Sequence, residues 1–160
     1  MQPAARWRPQ LTMGSGKVTA LAQRPIFLPV ELHAEWDLVV QARPNLLLVG
    51  SSSATGAMLV ALKPHLDEPI RQHRPETGVT VPQPRDGTLI LLDVDRLDVD
   101  QQVQLDRWLG TFDEYGRVQI VSTASAPFFA LVEAGAFLPS LYYRLNVVRM
   151  DVTDPGQGIP

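Results

Sequence analysis

Two uninterrupted apolar runs, Leu46-Leu47-Leu48-Val49 and Leu89-Ile90-Leu91-Leu92, constrain this chain more than any other feature. A strand with one wet face alternates apolar and polar residues. A run without alternation is buried on both faces, as in a parallel sheet covered by helices. Val118 to Val121 and Val147 to Met150 read as two further strands, and Val79 to Val81 as a short one inside the proline-rich stretch 64–86. Helical segments fall between them. Glu31 to Ala42 carries Leu32, Trp36 and Val39 or Val40 at helical spacing, and Pro44 ends it. Ala57 to Lys63 is helical in composition and stops at Pro64. Asp98 to Leu109 has Asp98 as N-cap, Gln101 to complete a capping box and Gly110 at its end, with Leu105, Trp108 and Leu109 facing inward. Shorter helices are expected around Pro127 to Ala134 and Ser140 to Leu145. The alternation predicts a three-layer α/β domain with a mostly parallel sheet over residues 31–151. An irregular, proline-punctuated arm (1–30) precedes it and a short tail (152–160) follows.

Composition narrows the function classes. The chain has 160 residues, enough for one domain with a real core. It has no cysteine, which excludes disulfides and thiolate metal sites. A net charge of -3 gives no long-range pull toward nucleic acid or acidic membranes. Arg71, His73, Arg74 and Arg85 are scattered among acids with no helix-turn-helix pattern, so direct DNA binding is not expected. No apolar run approaches the roughly 20 residues that span a bilayer, and no apolar segment follows the N-terminal arginines as in a signal peptide. A cytoplasmic protein without a membrane partner is the expectation.

In open parallel sheets ligands bind at the carboxyl ends of strands. Here the first run enters Gly50-Ser51-Ser52-Ser53-Ala54-Thr55-Gly56, a strand–loop–helix layout that resembles a phosphate-binding loop. Such loops cradle phosphate with backbone N–H groups and a helix N-terminus, and add a lysine for the terminal phosphates. The residues after Gly56 are Ala57 and Met58, and Lys63 lies nearly two turns further on. The segment is therefore either a weak anion site or a serine-rich helix cap. Asp93 and Asp95 end the second run, where they read as metal-binding carboxylates or as solvated strand-end acids beside Arg96. Gly14-Ser15-Gly16-Lys17 has no strand before it and is set aside. His65, Asp67, Glu68 and His73 match no metal-ligand spacing, and Ser122, Thr123 and Ser125 have no histidine base in sequence context.

Several strings carry a resemblance. Gly87-Thr88-Leu89-Ile90-Leu91-Leu92-Asp93-Val94-Asp95-Arg96-Leu97 resembles GTLFLDEIDEL, the Walker B segment of bacterial sigma-54 activators. Leu141-Tyr142-Tyr143-Arg144-Leu145-Asn146-Val147 is identical to that family's LYYRLNV, and Gly135-Ala136-Phe137 matches its G-x-F. Gly50 to Ala61 is similar to GESGTGKELVA, with Leu59-Val60-Ala61 retained. The likeness spans roughly residues 31–151. It implies a P-loop NTPase-like fold of the AAA+ class, without the helical lid domain, and a link to transcription regulation.

Position by position, the resemblance also implies loss of chemistry. The Walker A lysine falls on Ala57 or Gly56, the magnesium-binding Asp on Leu92 and the catalytic Glu on Asp93. The sensor Asn falls on Ser125 or Ala124, and the arginine after G-x-F is Leu138. Only Arg144 remains. No GAFTGA loop is present. ATPase activity is therefore expected to be lost, with no catalytic residue, no metal and no firm cofactor. At most weak ATP, ADP or phosphate binding is expected, at a vestigial site of Gly50, Ser51, Ser52, Ser53, Thr55, Gly56, Asp93 and Arg144. The expected role is protein interaction, with a related AAA+ activator or a second copy as partner. A nucleotide sensor without hydrolysis is the alternative. Tyr142, Tyr143, Leu145 and Val147 are expected to be core residues.

Overall fold

The computed structural model describes residues 24–112, 117–125 and 127–154. Most of the 1–30 arm, including Gly14-Ser15-Gly16-Lys17, and most of the 152–160 tail lie outside the described residues. Five strands form one all-parallel sheet in the order β2-β3-β4-β1-β5: β1 Leu46–Val49, β2 Ile70–His73, β3 Thr88–Leu91, β4 Gln119–Ala124 and β5 Val148–Asp151. Among the described residues the helices are α1 His33–Ala42, α2 Ser52–Leu62, α3 Val99–Leu109, α4 Phe128–Glu133 and α5 Pro139–Leu145.

β1 is the hub. It is buried along its whole length and pairs with β4 on one side and β5 on the other. Its side chains feed both cores by the two-residue alternation of a strand. Leu47 and Val49 join Leu89, Leu91 and Ile120 against Leu105, Leu109, Leu141 and Leu145 of α3 and α5. Leu46 and Leu48 join Ile90, Val121 and Met150 against Trp36 and Val39 of α1 and Met58 and Leu62 of α2. This is the three-layer arrangement that the apolar runs imply, and burying each such leucine contributes about 1.5–3 kcal/mol.

Helix α3 begins as its sequence dictates. Asp98 Oδ1 accepts from the Gln101 backbone N–H at 2.8 Å, and Gln101 Oε1 accepts from the Asp98 N–H at 2.9 Å. Gln101 and Gln102 are also buried. Gln101 Nε2 donates to the carbonyls of Glu76 and Val79, each at 2.7 Å. Gln102 donates to Leu97 O and Ala136 O and accepts from the Leu138 N–H, which fixes the turn before α5.

The structure corrects three local expectations. The fifth strand is Ile70–His73, not Val79–Val81. The latter stretch is held as a loop by Gln101, with Val81 alone inserted in the core. Tyr142 and Leu145 are core residues, but Tyr143 and Val147 are 63% and 59% exposed on the outer side of α5 and the turn after it. The third concerns α2, which starts at Ser52 and not at Ala57. Only Gly50 and Ser51 link it to β1.

With α2 starting that early, Gly56 lies in a helix interior. A Cβ built there meets nothing within 4 Å. Glycine in such a place costs about 0.5–1 kcal/mol relative to alanine. Gly56→Ala is therefore expected to raise stability by about that amount in urea unfolding. A loss of stability would show that the segment is a loop in solution.

Candidate functional site

The carboxyl edge of the sheet carries most of the residues singled out in the sequence. On aligning Leu59-Val60-Ala61 with its family counterpart, two of the three loop glycines fall on Ser51 and Ala54. Serine favours a helix N-cap and alanine the helix interior, so this substitution pattern converts loop to helix. The structure bears the marks of both. Ser51 has extended φ/ψ and its Oγ accepts from the Ala54 N–H at 3.1 Å. Ala54 is buried, and the Thr55 N–H donates to Ser51 O at 3.0 Å within the helical ladder. The Thr55 hydroxyl turns back to the same carbonyl at 3.0 Å. N–H groups that would cradle phosphate in a loop are consumed by α2.

Two hydroxyls at the head of α2 are met from within the chain. After β5 the strand continues as a strap, with Val152 N–H donating to Val49 O at 2.9 Å. The strap crosses Gly50 so closely that a Cβ there would lie 2.4 Å from Val152 O. It delivers Asp154, whose Oδ1 accepts from the hydroxyls of Ser51, at 2.9 Å, and of Ser53. A carboxylate at this place also meets the partial positive charge of the helix N-terminus. The Ser53 hydroxyl, then that of Ser51, holds the Asp154 carboxyl below its usual range.

Asp93 caps β3 in a left-handed conformation (φ 53°, ψ 52°), with its N–H donating to Thr123 Oγ1 at 2.9 Å. Its carboxylate is ion-paired with Arg74 from the end of β2. Asp95 accepts from Ser125 Oγ at 2.7 Å, so Ser125, one of the two residues on which the family's sensor Asn falls, bonds inside the protein. Leu92, at the magnesium-ligand position, and Asp93 line a cleft of about 230 Å³ between α2 and β2. Ser52, Thr55, Gly56, Lys63, Gln72, Arg74 and Thr123 also line it. Lys63 thus reaches the cleft wall from the far end of α2.

Arg144 is not with them. It ends α5, where its carbonyl accepts from Asn45 Nδ2 at 2.9 Å just before β1, at the opposite edge of the sheet. Its Nε lies 3.0 Å from Asp106 Oδ1, an ion pair without hydrogen-bond alignment. Sequence reasoning missed Arg74 and Asp154. Neither stands in a motif, and both reach the site through tertiary contacts alone. His65 packs edge-on to Trp36, and burial lowers its pKa. No cluster of three metal-ligating side chains occurs among the described residues, and no helix there is long and apolar enough to cross a membrane.

Structural relatives have the same architecture. NtrX from Brucella abortus, in a crystal structure with ATP, superposes with a TM-score of 0.64 at 17% identity over 86% of this chain. Its complex with ADP gives 0.61 at 16% identity over 85%. The P-loop NTPase domain of the sigma-54 transport activator from E. coli gives 0.54 at 15% identity, covering 74% of this chain and 95% of that one. The chain spans 38% of the NtrX chain. No curated protein matches by sequence. The description "Sigma-54 interaction domain" fits residues 30–154, most of the chain. On that match, joined to the parallel sheet and to the strings at 87–97 and 141–147, the chain belongs to the sigma-54 interaction domain family.

Proposed function

We propose that this is a non-catalytic AAA+ domain that works through protein contacts in transcription regulation, with a related activator domain or a second copy of itself as partner. The observation that carries this reading is the head of α2, where a helix begins at Ser52 and Asp154 accepts from the hydroxyls of Ser51 and Ser53. Phosphoryl transfer depends on positioned cations and on stabilising the charge of the transferred group. At the carboxyl edge Ala57 stands for the lysine and Leu92 for the magnesium ligand, and Arg74 already neutralises Asp93. Leu138 supplies no arginine, and Arg144 lies at the other edge. One missing arginine finger alone costs about 10³–10⁵ in rate in such enzymes.

The cleft beside α2, with Lys63 and Arg74 on its walls, favours a second reading: a sensor that holds ATP or ADP without turnover. Thermal unfolding with magnesium-ATP separates the two. A ligand at 100 times its Kd stabilises by about 2.7 kcal/mol, which for a domain of this size is about 5–10 °C. The interaction reading expects no shift at millimolar ATP and no phosphate release above background. A shift of several degrees would establish the sensor. Metal-dependent phosphate release abolished by Asp93→Asn would sink both. Mass photometry of the chain, alone and mixed with related activator domains, tests the partner; an inert monomer in every mixture counts against the proposal.

Asp154 makes a separate prediction. Its carboxyl titrates lower in the folded chain than in the unfolded one, so its contribution is present above the unfolded value of about 4. That contribution is lost as pH falls through the folded value. Asp154→Ala is expected to lower the melting temperature at pH 7, and the gap to the parent chain is expected to narrow as pH falls below about 4 and through the lowered folded value. A gap that stays constant with pH would mean that the carboxylate is not held by Ser51 and Ser53.

A further inference from the structure

Strand β5 ends the sheet on one side, and among the described residues no strand pairs with its outer edge. Its inner edge is in full use. Val148 N–H donates to Asn45 O at 3.1 Å and Val152 N–H to Val49 O at 2.9 Å, and the register against β1 puts Met150 in the same phase. In a parallel ladder only alternate residues bond the neighbouring strand, so Arg149 and Asp151 turn their N–H and C=O groups outward. Such an edge is a template for another chain, and proteins blunt it with charge. This edge carries both signs. Arg149 Nη2 donates to Asp151 Oδ1 at 2.8 Å, and both side chains lie on the exposed face of the strand, whereas Val148 and Met150 are buried. An edge of one sign repels its own copy in every register. An edge of alternating sign attracts it in one.

We propose that β5 pairs antiparallel with β5 of a second copy about a two-fold axis beside Met150, joining the two sheets edge to edge. This rests on the protein-contact reading above and names its surface and its partner. The axis sets Arg149 opposite Asp151 of the second copy, and Asp151 opposite Arg149 of the second copy. These are the residues whose backbone groups point outward, so each facing pair exchanges two N–H···O bonds, as the hydrogen-bonded pairs of an antiparallel ladder do. The four charges alternate in sign across the joint, and opposite charges on facing residues stabilise paired strands. The other edge of the sheet fails the same operation. Thr88 N–H donates to Pro69 O and Leu92 N–H to His73 O, so Ile70 and Gln72 are the outward-facing residues of β2. An axis between them sets Arg71 directly opposite Arg71 of the second copy, and like charges so placed are destabilising. Self-pairing is therefore selective for β5, and a two-fold contact of this kind closes at the dimer.

The test is sedimentation equilibrium of the full chain and its charge-reversed variants from micromolar to millimolar concentration. The parent chain is expected to show a monomer–dimer equilibrium. Arg149→Asp and Asp151→Arg are each expected to weaken the dimer at least about tenfold, because the two-fold axis repeats every new like-charge contact. The double exchange restores facing opposite charges and is expected to restore the dimer, which a role of this ion pair within one chain would not require. A trapping experiment reads the register. The chain has no cysteine, so a mixture of Arg149→Cys and Asp151→Cys chains is expected to form a disulfide-linked dimer under mild oxidation. Neither variant alone is expected to do so, since equivalent residues lie beyond the Cα separation of about 7 Å that a disulfide spans, whereas facing ones lie at about 5.5 Å. A dimer indifferent to both reversals, equal cross-linking of the unmixed variants, or a monomer at every concentration would each overturn the proposal. A monomer that still binds a related activator domain would overturn this edge pairing and leave the protein-contact reading standing.

Discussion

How soon α2 begins after the central strand governs the whole carboxyl edge of the sheet. β1 is hydrogen-bonded on both sides and buried along its length, so its end is fixed in space. With Gly50 and Ser51 as the only link, every backbone N–H from Thr55 onward enters the helical ladder. A longer linker would leave those donors free to converge on a phosphate. The same atoms cannot do both, and the choice is made by residues with high helix and cap propensity where the family has glycine. On the proposed reading, ligand chemistry at this edge is limited first by backbone conformation and only then by which side chains are missing.

A helix head and a strand-end carboxylate are charges that a nucleotide and its metal would normally meet. Here the chain meets them itself. Asp154 reaches the helix head through the strap over Gly50, and Arg74 reaches Asp93 from the end of the edge strand. Both contacts are partly solvated, and such pairs add little to overall stability. On the proposed reading their effect is on occupancy: an incoming phosphate must displace a tethered carboxylate, and an incoming cation must displace a tethered guanidinium. Tethering gives each a local advantage over a dilute competitor.

The family likeness and the proposed loss of chemistry follow from the same division of labour. Leu141 and Leu145 of the LYYRLNV string are completely buried, and Tyr142 nearly so. Thr88 to Leu91 of the Walker B-like string forms a fully buried strand. Substituting any of them would leave a cavity or an overpacked core, at about 1–5 kcal/mol. Ala57, Leu92 and Leu138 stand at positions where the fold asks only for a side chain that fits a partly exposed place. Packing preserves the first group whatever the domain does, whereas the second group is held in a working ATPase by chemistry alone.

That division also explains what could be read from the sequence. β1, β3 and β4 were legible because burial on both faces leaves no alternation, β5 because its buried Val148 and Met150 stand at strand spacing, and α3 because its capping box is local. β2 was not. At the sheet edge Ile70-Arg71-Gln72-His73 is half-buried, with two exposed residues side by side, so neither period appears. The site residues divide in the same manner. Gly50 to Gly56 and Asp93 announce a strand end, and the structure puts them there, but Arg144 is carried by α5 to the opposite edge. Arg74 and Asp154 become part of the site only through strand order and the path of the strap, neither of which has a local signal. Tyr143 shows the limit most directly: one residue from a buried tyrosine in an identical string, it points outward, because on a helix adjacent residues are about 100° apart and only one of them can face the core.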